Sequence, residues 1–214
     1  GTQYGPVRRS QQRRASAADA IDLLCLTDST NLMRLQGGPN NFGNVLADAH
    51  TEGQRIAIEG IVYDGSGTPM RDVLIECWQA DAHGRYAHPA DSKPSGFRGF
   101  GRTGADFSSG VFRFETIKPG RVLAGPISGG KLQAPHIALI LFARGINEKK
   151  KTRMYFDDEP VANAEDPVLS GVEWEVRRKT LIAKREQRGN EVVYRLDIRV
   201  QAADPALETI LFDV

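Results

Sequence analysis

From Gln54 onward the chain is a succession of short apolar stretches cut apart by turns rich in Gly, Pro and Asp. This punctuation constrains the fold more than any single motif. In "QRIAIEGIVYD", Ile56 and Ile58 alternate, then Ile61 and Tyr63 follow, with Gly60 as a candidate bulge. "VLIECWQAD" is a second strand, and "VFRFETI" sets Phe112, Phe114 and Thr116 on one side against Val111, Arg113 and Glu115 on the other. A period of two rather than 3.6 means half-buried strands. "APHIALILFARG" differs, because Ile137, Leu139 and Leu141 on one face are backed by Ala138, Ile140 and Phe142 on the other. Such a segment is expected to be a central strand over 134–143, covered on both sides. "TRMYF" reads as a short strand, "TLIAKREQRGNEVVYRLDIRVQ" as two strands turning at Gly189-Asn190, and "ETILFDV" as a last strand. The Gly/Pro-rich segments around residues 82–103 and 118–133 are long loops, and "DDEPVANAEDPVL" has room for one helical turn. The expected fold class is all-β, an antiparallel β-sandwich with long loops and little helix, in a domain spanning 44–214.

Residues 1–43 read differently. A basic start with small residues leads into "DAIDLLCLTDSTNLMRLQ", which has room for one short helix, and then a glycine-rich loop. The start lacks the apolar segment of a secretory signal, and a disordered N-terminal arm is favoured over a transit peptide. Lys and Arg number 28 against 27 Asp and Glu, so the clustered excess of positive charge that nucleic-acid binding needs is missing. No apolar run approaches the roughly 20 residues of a membrane span. Cys25 and Cys77 make no disulfide framework, which points to a reducing cytoplasm.

The sequence has no glycine-rich phosphate loop, no Gly-x-Ser-x-Gly elbow and no zinc spacing of Cys or His. His83 and His88 flank Tyr86 in one loop, a spacing that suits a metal but is common by chance. Arg144 and Arg153 read as solvated strand ends, and Lys149–Lys151 as an exposed turn. His136 stands at the entrance of the apolar strand, where it can be a ligand, a base or a core residue with a satisfied ring.

Several ordered segments carry a resemblance: "EGIVYDGSGTPMRDVLIECWQADAHGRYAHP", "FGRTGADF", "FRFETIKPG", "APHIALILFARGIN", "TRMYFDDE" and "YRLDIRVQ". Together they resemble the intradiol ring-cleaving dioxygenases over roughly residues 44–214, whereas 1–43 do not match. The resemblance implies a β-sandwich and a reaction in which a catechol-type substrate meets a non-haem ferric ion. Oxygen then splits the ring between its two hydroxyls to give a muconate-type diacid. Catalytic chains of the family hold iron with two tyrosines and two histidines, and phenolate oxygen suits a hard ferric ion. Carried over residue by residue, the first tyrosine is Tyr86 and the second falls on Val122, in a Pro-Gly-x-Tyr pattern. The His-x-His pair falls on His136 and Ala138, and a supporting arginine three residues earlier falls on Gln133. Valine and alanine have no donor atoms. Tyr86, Val122, His136 and Ala138 are therefore expected to be vestigial ligand positions, with no catalytic residue and no metal in this chain.

That pattern is similar to the alpha-type chain of family members assembled from two kinds of chain. There an iron-free alpha chain pairs with a beta chain of the same fold. The resemblance implies a beta-chain partner that holds Fe(III), and an aromatic acid such as protocatechuate at or near the contact. It implies neither a nucleic-acid nor a membrane partner. Arg144 of "FARG" is expected to reach the partner's substrate pocket in trans, where a guanidinium suits a carboxylate. The N-terminal segment that lines the pocket in the family is not recognisable, with "TQYGPV" at 2–7 a faint echo, and "NEKKKTR" also departs from the family pattern. Two other readings stand beside this one. The first is a binding or scaffolding β-sandwich derived from the family. The second is a self-sufficient catechol dioxygenase, which Val122 and Ala138 oppose.

Overall fold

A computed structural model describes residues 43–88, 95–123 and 130–212. Its strands are β1 (Arg55–Tyr63), β2 (Leu74–Gln79), β3 (Phe100–Gly104), β4 (Val111–Ile117), β5 (His136–Phe142), β6 (Lys150–Phe156), β7 (Ile182–Arg188), β8 (Glu191–Arg195) and β9 (Ile198–Arg199). Eight of them follow the order β3-β2-β5-β6-β7-β8-β1-β4, and β9 pairs with β1. Three short helices lie between β6 and β7: α1 (Pro160–Glu165), α2 (Pro167–Gly171) and α3 (Glu175–Arg178). The expected arm up to residue 42, with its candidate helix and Cys25, lies outside the described residues.

One core joins the two halves of this curled sheet. Ile56, Ile58, Phe112, Phe114 and Tyr194 from β1, β4 and β8 pack with Ile75, Cys77, Ile137, Leu139, Leu141 and Met154 from β2, β5 and β6, all of them buried. Alternation places them. Each strand turns every second side chain inward, and the apolar set is the inward one. A second, smaller cluster of Ala134, Tyr155, Ala162, Leu169 and Leu181 lies where α1 and α2 pack by the ends of β5 and β6.

The expectation of a β-rich domain with little helix holds, but the pairing is mixed rather than antiparallel throughout. β1 runs parallel to β8 and to β9, and β6 runs parallel to β7. These parallel pairs join strands far apart in sequence, β1 to β8 and β9, or strands joined through the helical segment, β6 to β7. A tight hairpin does not constrain their direction. Gly60 makes no bulge, since its register with β4 is continuous from Arg55↔Ile117 to Ile61↔Val111. The irregularity lies across from it, between β8 and β9, where a Cβ on Gly60 would come within 1.9 Å of the Leu196 carbonyl oxygen. The Asp197 carboxylate accepts the Ile61 N–H at 3.0 Å in that gap.

Three other expectations change. β3 falls inside the segment read as a loop. Lys150 and Lys151 are strand residues of β6 rather than an exposed turn, because both pair with β5. The last segment contributes one isolated bridge, Lys151↔Phe212, and among the described residues forms no extended strand.

Candidate functional site

On the outer face of the β2–β5–β6 layer, alternation turns out Trp78, then His136 and Ala138, then Arg153 and Tyr155. Trp78 is the register partner of Ala138, Ala138 of Arg153, and His136 of Tyr155. Register partners on one face sit about 5 Å apart at Cβ, so these five side chains form one patch.

The loop after β2 brings Tyr86 over this patch. Its ring stacks on Trp78 with centroids 5.8 Å apart and planes 3° from parallel. Asp81 organises the loop: its carboxylate accepts the His83 and Arg85 N–H groups, each at 2.9 Å, the Arg85 guanidinium and the Ser95 hydroxyl. Burial pushes this carboxyl up, but the hydrogen bonds from Arg85, Ser95 and His83 outweigh it and hold Asp81 below its ordinary value. Gly84 turns the loop with φ of +76°, and a Cβ there would lie 1.9 Å from the Arg121 carbonyl oxygen, so glycine is required twice over. This close approach sets Val122 beside the loop, and the Gln133 N–H donates to the Val122 carbonyl at 2.8 Å. Tyr86, Val122, His136 and Ala138 therefore surround one region of the molecule.

Burial dominates the electrostatics there. Tyr86 is half-buried as a residue, but desolvation around its phenol pushes the pKa up to about 12, with the Arg153 cation acting the other way. His136 is buried, and its Nδ1 bonds the Ala134 carbonyl at 2.8 Å. Burial and then the Arg153 charge lower its pKa to about 4, so near neutral pH the ring is uncharged and donates from Nδ1. Arg153 is half-buried in mid-strand, not a solvated strand end. Its Nη1 donates to the Gln133 side-chain oxygen at 2.6 Å, and the guanidinium also bonds the Tyr155 hydroxyl.

Sequence reasoning missed Asp166, which is fully buried and ties the region together. Its carboxylate caps α2 by accepting the Val168 and Leu169 N–H groups, and it accepts the Ala134 N–H at 2.7 Å and the Tyr155 hydroxyl at 3.3 Å. The "DPVL" signature, an N-cap Asp with Pro at the first helical position, was the available signal. Arg144 stands apart. It sits in the turn after β5 with its side chain 91% exposed, 3.2 Å from Asp72.

The donor set can be weighed against a ferric ion. Tyr86 offers a phenol and His136 an imidazole, whereas Val122 and Ala138 offer nothing, and a guanidinium points into the same region. These residues do not fit the four-ligand site that the family resemblance implies. Among the described residues, His83 and His88 included, no group of three or more His, Cys, Asp or Glu is placed to hold a metal ion.

Fold and site together describe a β-rich chain in which Tyr86 and His136 share one region with Val122 and Ala138, which carry no donor atoms. A family model described as dioxygenase matches residues 36–202, and the chain belongs to that family. It is 46% identical over 170 residues to the protocatechuate 3,4-dioxygenase alpha chain of Pseudomonas putida, covering 79% of this chain and 81% of that one. Likeness to the protocatechuate 3,4-dioxygenase beta chain of Burkholderia cepacia is lower, 34% over 169 residues, or 75% of this chain and 70% of that one. Among solved structures, the fold matches the dioxygenase domain of a dioxygenase–carbohydrate-binding fusion from Streptomyces sp. SirexAA-E. That match has a TM-score of 0.54 at 23% identity, over 78% of this chain and 93% of the other. The described residues include no helix long and apolar enough to cross a membrane.

Proposed function

We propose that this chain is the alpha-type, iron-free subunit of a protocatechuate 3,4-dioxygenase. It supports intradiol cleavage of protocatechuate by O2 to 3-carboxy-cis,cis-muconate at a ferric site held by a beta chain. The observation that supports the reading is the site itself: Tyr86 and His136 share one region with Val122 and Ala138, whose side chains carry no donor atom. Greater likeness to the alpha than to the beta relative supports the choice of subunit. Tyr86, Val122, His136 and Ala138 are then the remnants of a ligand set. The chain contributes Arg144 to the partner's pocket, and its exposure leaves the guanidinium available to an aromatic carboxylate. The finer fold assignment is the family's β-sandwich over 44–214, preceded by an arm over 1–43. A reducing cytoplasm suits the buried free thiol of Cys77.

The test is co-expression with a beta chain that has an intact Tyr and His-x-His set. The chain purified alone is expected to carry no stoichiometric iron and to take up no oxygen with protocatechuate, and the co-purified complex to do both. A lone chain with one iron and a visible tyrosinate-to-iron band would overturn the proposal, as would failure to assemble with any such partner.

A further inference from the structure

Arg153 stands beside one of the two donorless positions and is linked to the other through Gln133. Its Cα is the register partner of Ala138, and its Nη1 donates at 2.6 Å to Gln133, whose own N–H is bound to the Val122 carbonyl at 2.8 Å. The side chain thus lies beside position 138 and is linked through Gln133 to the backbone at position 122. Ala138, with only a methyl group on this face, leaves the room for it, because a larger residue there would stand directly beside the guanidinium. On the way Arg153 bonds the Tyr155 hydroxyl, next to the His136 ring, whose centroid is 5.8 Å from that of Tyr155.

We infer that Arg153 bars a metal ion from this site: its fixed guanidinium takes the room and supplies the positive charge that an ion would bring among Tyr86, His136 and Tyr155. The inference rests on the reading of 122 and 138 as ligand positions. A guanidinium never loses its proton in a protein, so the exclusion does not depend on pH. Restoring ligand residues is then not enough to restore metal binding. An incoming trivalent cation still meets a half-buried like charge, and the added imidazole meets the guanidinium itself.

The experiment compares V122Y/A138H with V122Y/A138H/R153Q and V122Y/A138H/R153K, each purified in full length, shown to melt cooperatively, and titrated with ferric citrate. Bound iron is read by metal analysis and by the visible tyrosinate-to-iron band. Gln at 153 removes the charge and keeps a polar partner for Gln133, whereas Lys keeps the charge. The Gln variant is expected to bind iron at least tenfold more tightly than the other two. Equal binding whatever stands at 153 overturns the role of Arg153 alone. If no variant binds iron although all fold, the ligand-position reading falls, and this inference with it. Should V122Y compromise folding, A138H and A138H/R153Q are titrated with Zn(II). At least tenfold tighter binding with Gln supports the exclusion, and equal affinity overturns it.

Discussion

His136 shows how far one residue's surroundings decide its chemistry. It is a buried ring bonded to the Ala134 carbonyl, its pKa lowered to about 4 by burial first and then by the Arg153 charge. The ordinary value is 6.5, so the folded value lies below the unfolded one, and the unfolded chain takes up its proton first as pH falls. The stability tied to the neutral ring is whole above the unfolded value and is lost as pH falls from about 6.5 toward 4, by at most about 3 kcal/mol. Wild type should therefore lose more melting temperature between pH 7.5 and 5 than His136→Gln, which has nothing to titrate there. The comparison cancels the other titrating groups. Parallel losses in the two proteins would mean that His136 is not held neutral.

At the scale of elements, β5 organises both the core and the site. Leu139 is fully buried on its inner face, between the Cys77 and Thr152 register positions of β2 and β6. Leu139→Asp puts an unpaired charge there, at a cost of several kcal/mol. Soluble yield and the cooperative melting transition should both be lost; an unchanged melting temperature would contradict the placement. β5 was legible because its apolar run is uninterrupted, and β4, β7 and β8 because alternation or the Gly189-Asn190 turn marks them. β3 was not, because "FGRTG" carries two glycines that weaken any strand signal. One of them sits in a tight spot: a Cβ on Gly101 would lie 2.5 Å from the Leu46 Cδ1, so Leu46 would have to shift. The parallel pairings were illegible for another reason, since strand direction across a long connection leaves no local pattern. The site divides in the same way. Tyr86, Val122, His136 and Ala138 stood out through the family resemblance. Arg153 and Asp166 act through partners 20 and 32 residues away, at Gln133 and Ala134, and their spacing gives no periodic signal.

For the whole molecule, the proposed assembly turns on one exposed cation. Arg144 lies beyond the core, its side chain 91% exposed, and among the described residues it pairs with Asp72, itself 41% exposed, at 3.2 Å. A pair that open to water contributes at most about 1 kcal/mol, so the guanidinium costs little to redirect. In the proposed complex it faces the partner's pocket and binds the carboxylate of protocatechuate by charge-assisted hydrogen bonds. Losing such a bond is worth about 1.5–3 kcal/mol. Arg144→Ala in the assembled enzyme should then lower kcat/KM for protocatechuate by roughly tenfold or more. Catechol has no carboxylate and should be affected much less, so the ratio between the two substrates reads the interaction itself. Asp72→Ala is the control: it frees Arg144 from its partner within the chain and should leave turnover of protocatechuate unchanged or raised. Equal losses for protocatechuate and catechol in an intact complex would remove Arg144 from carboxylate recognition. Dissociation of the complex in Arg144→Ala would instead make it a residue of the subunit contact.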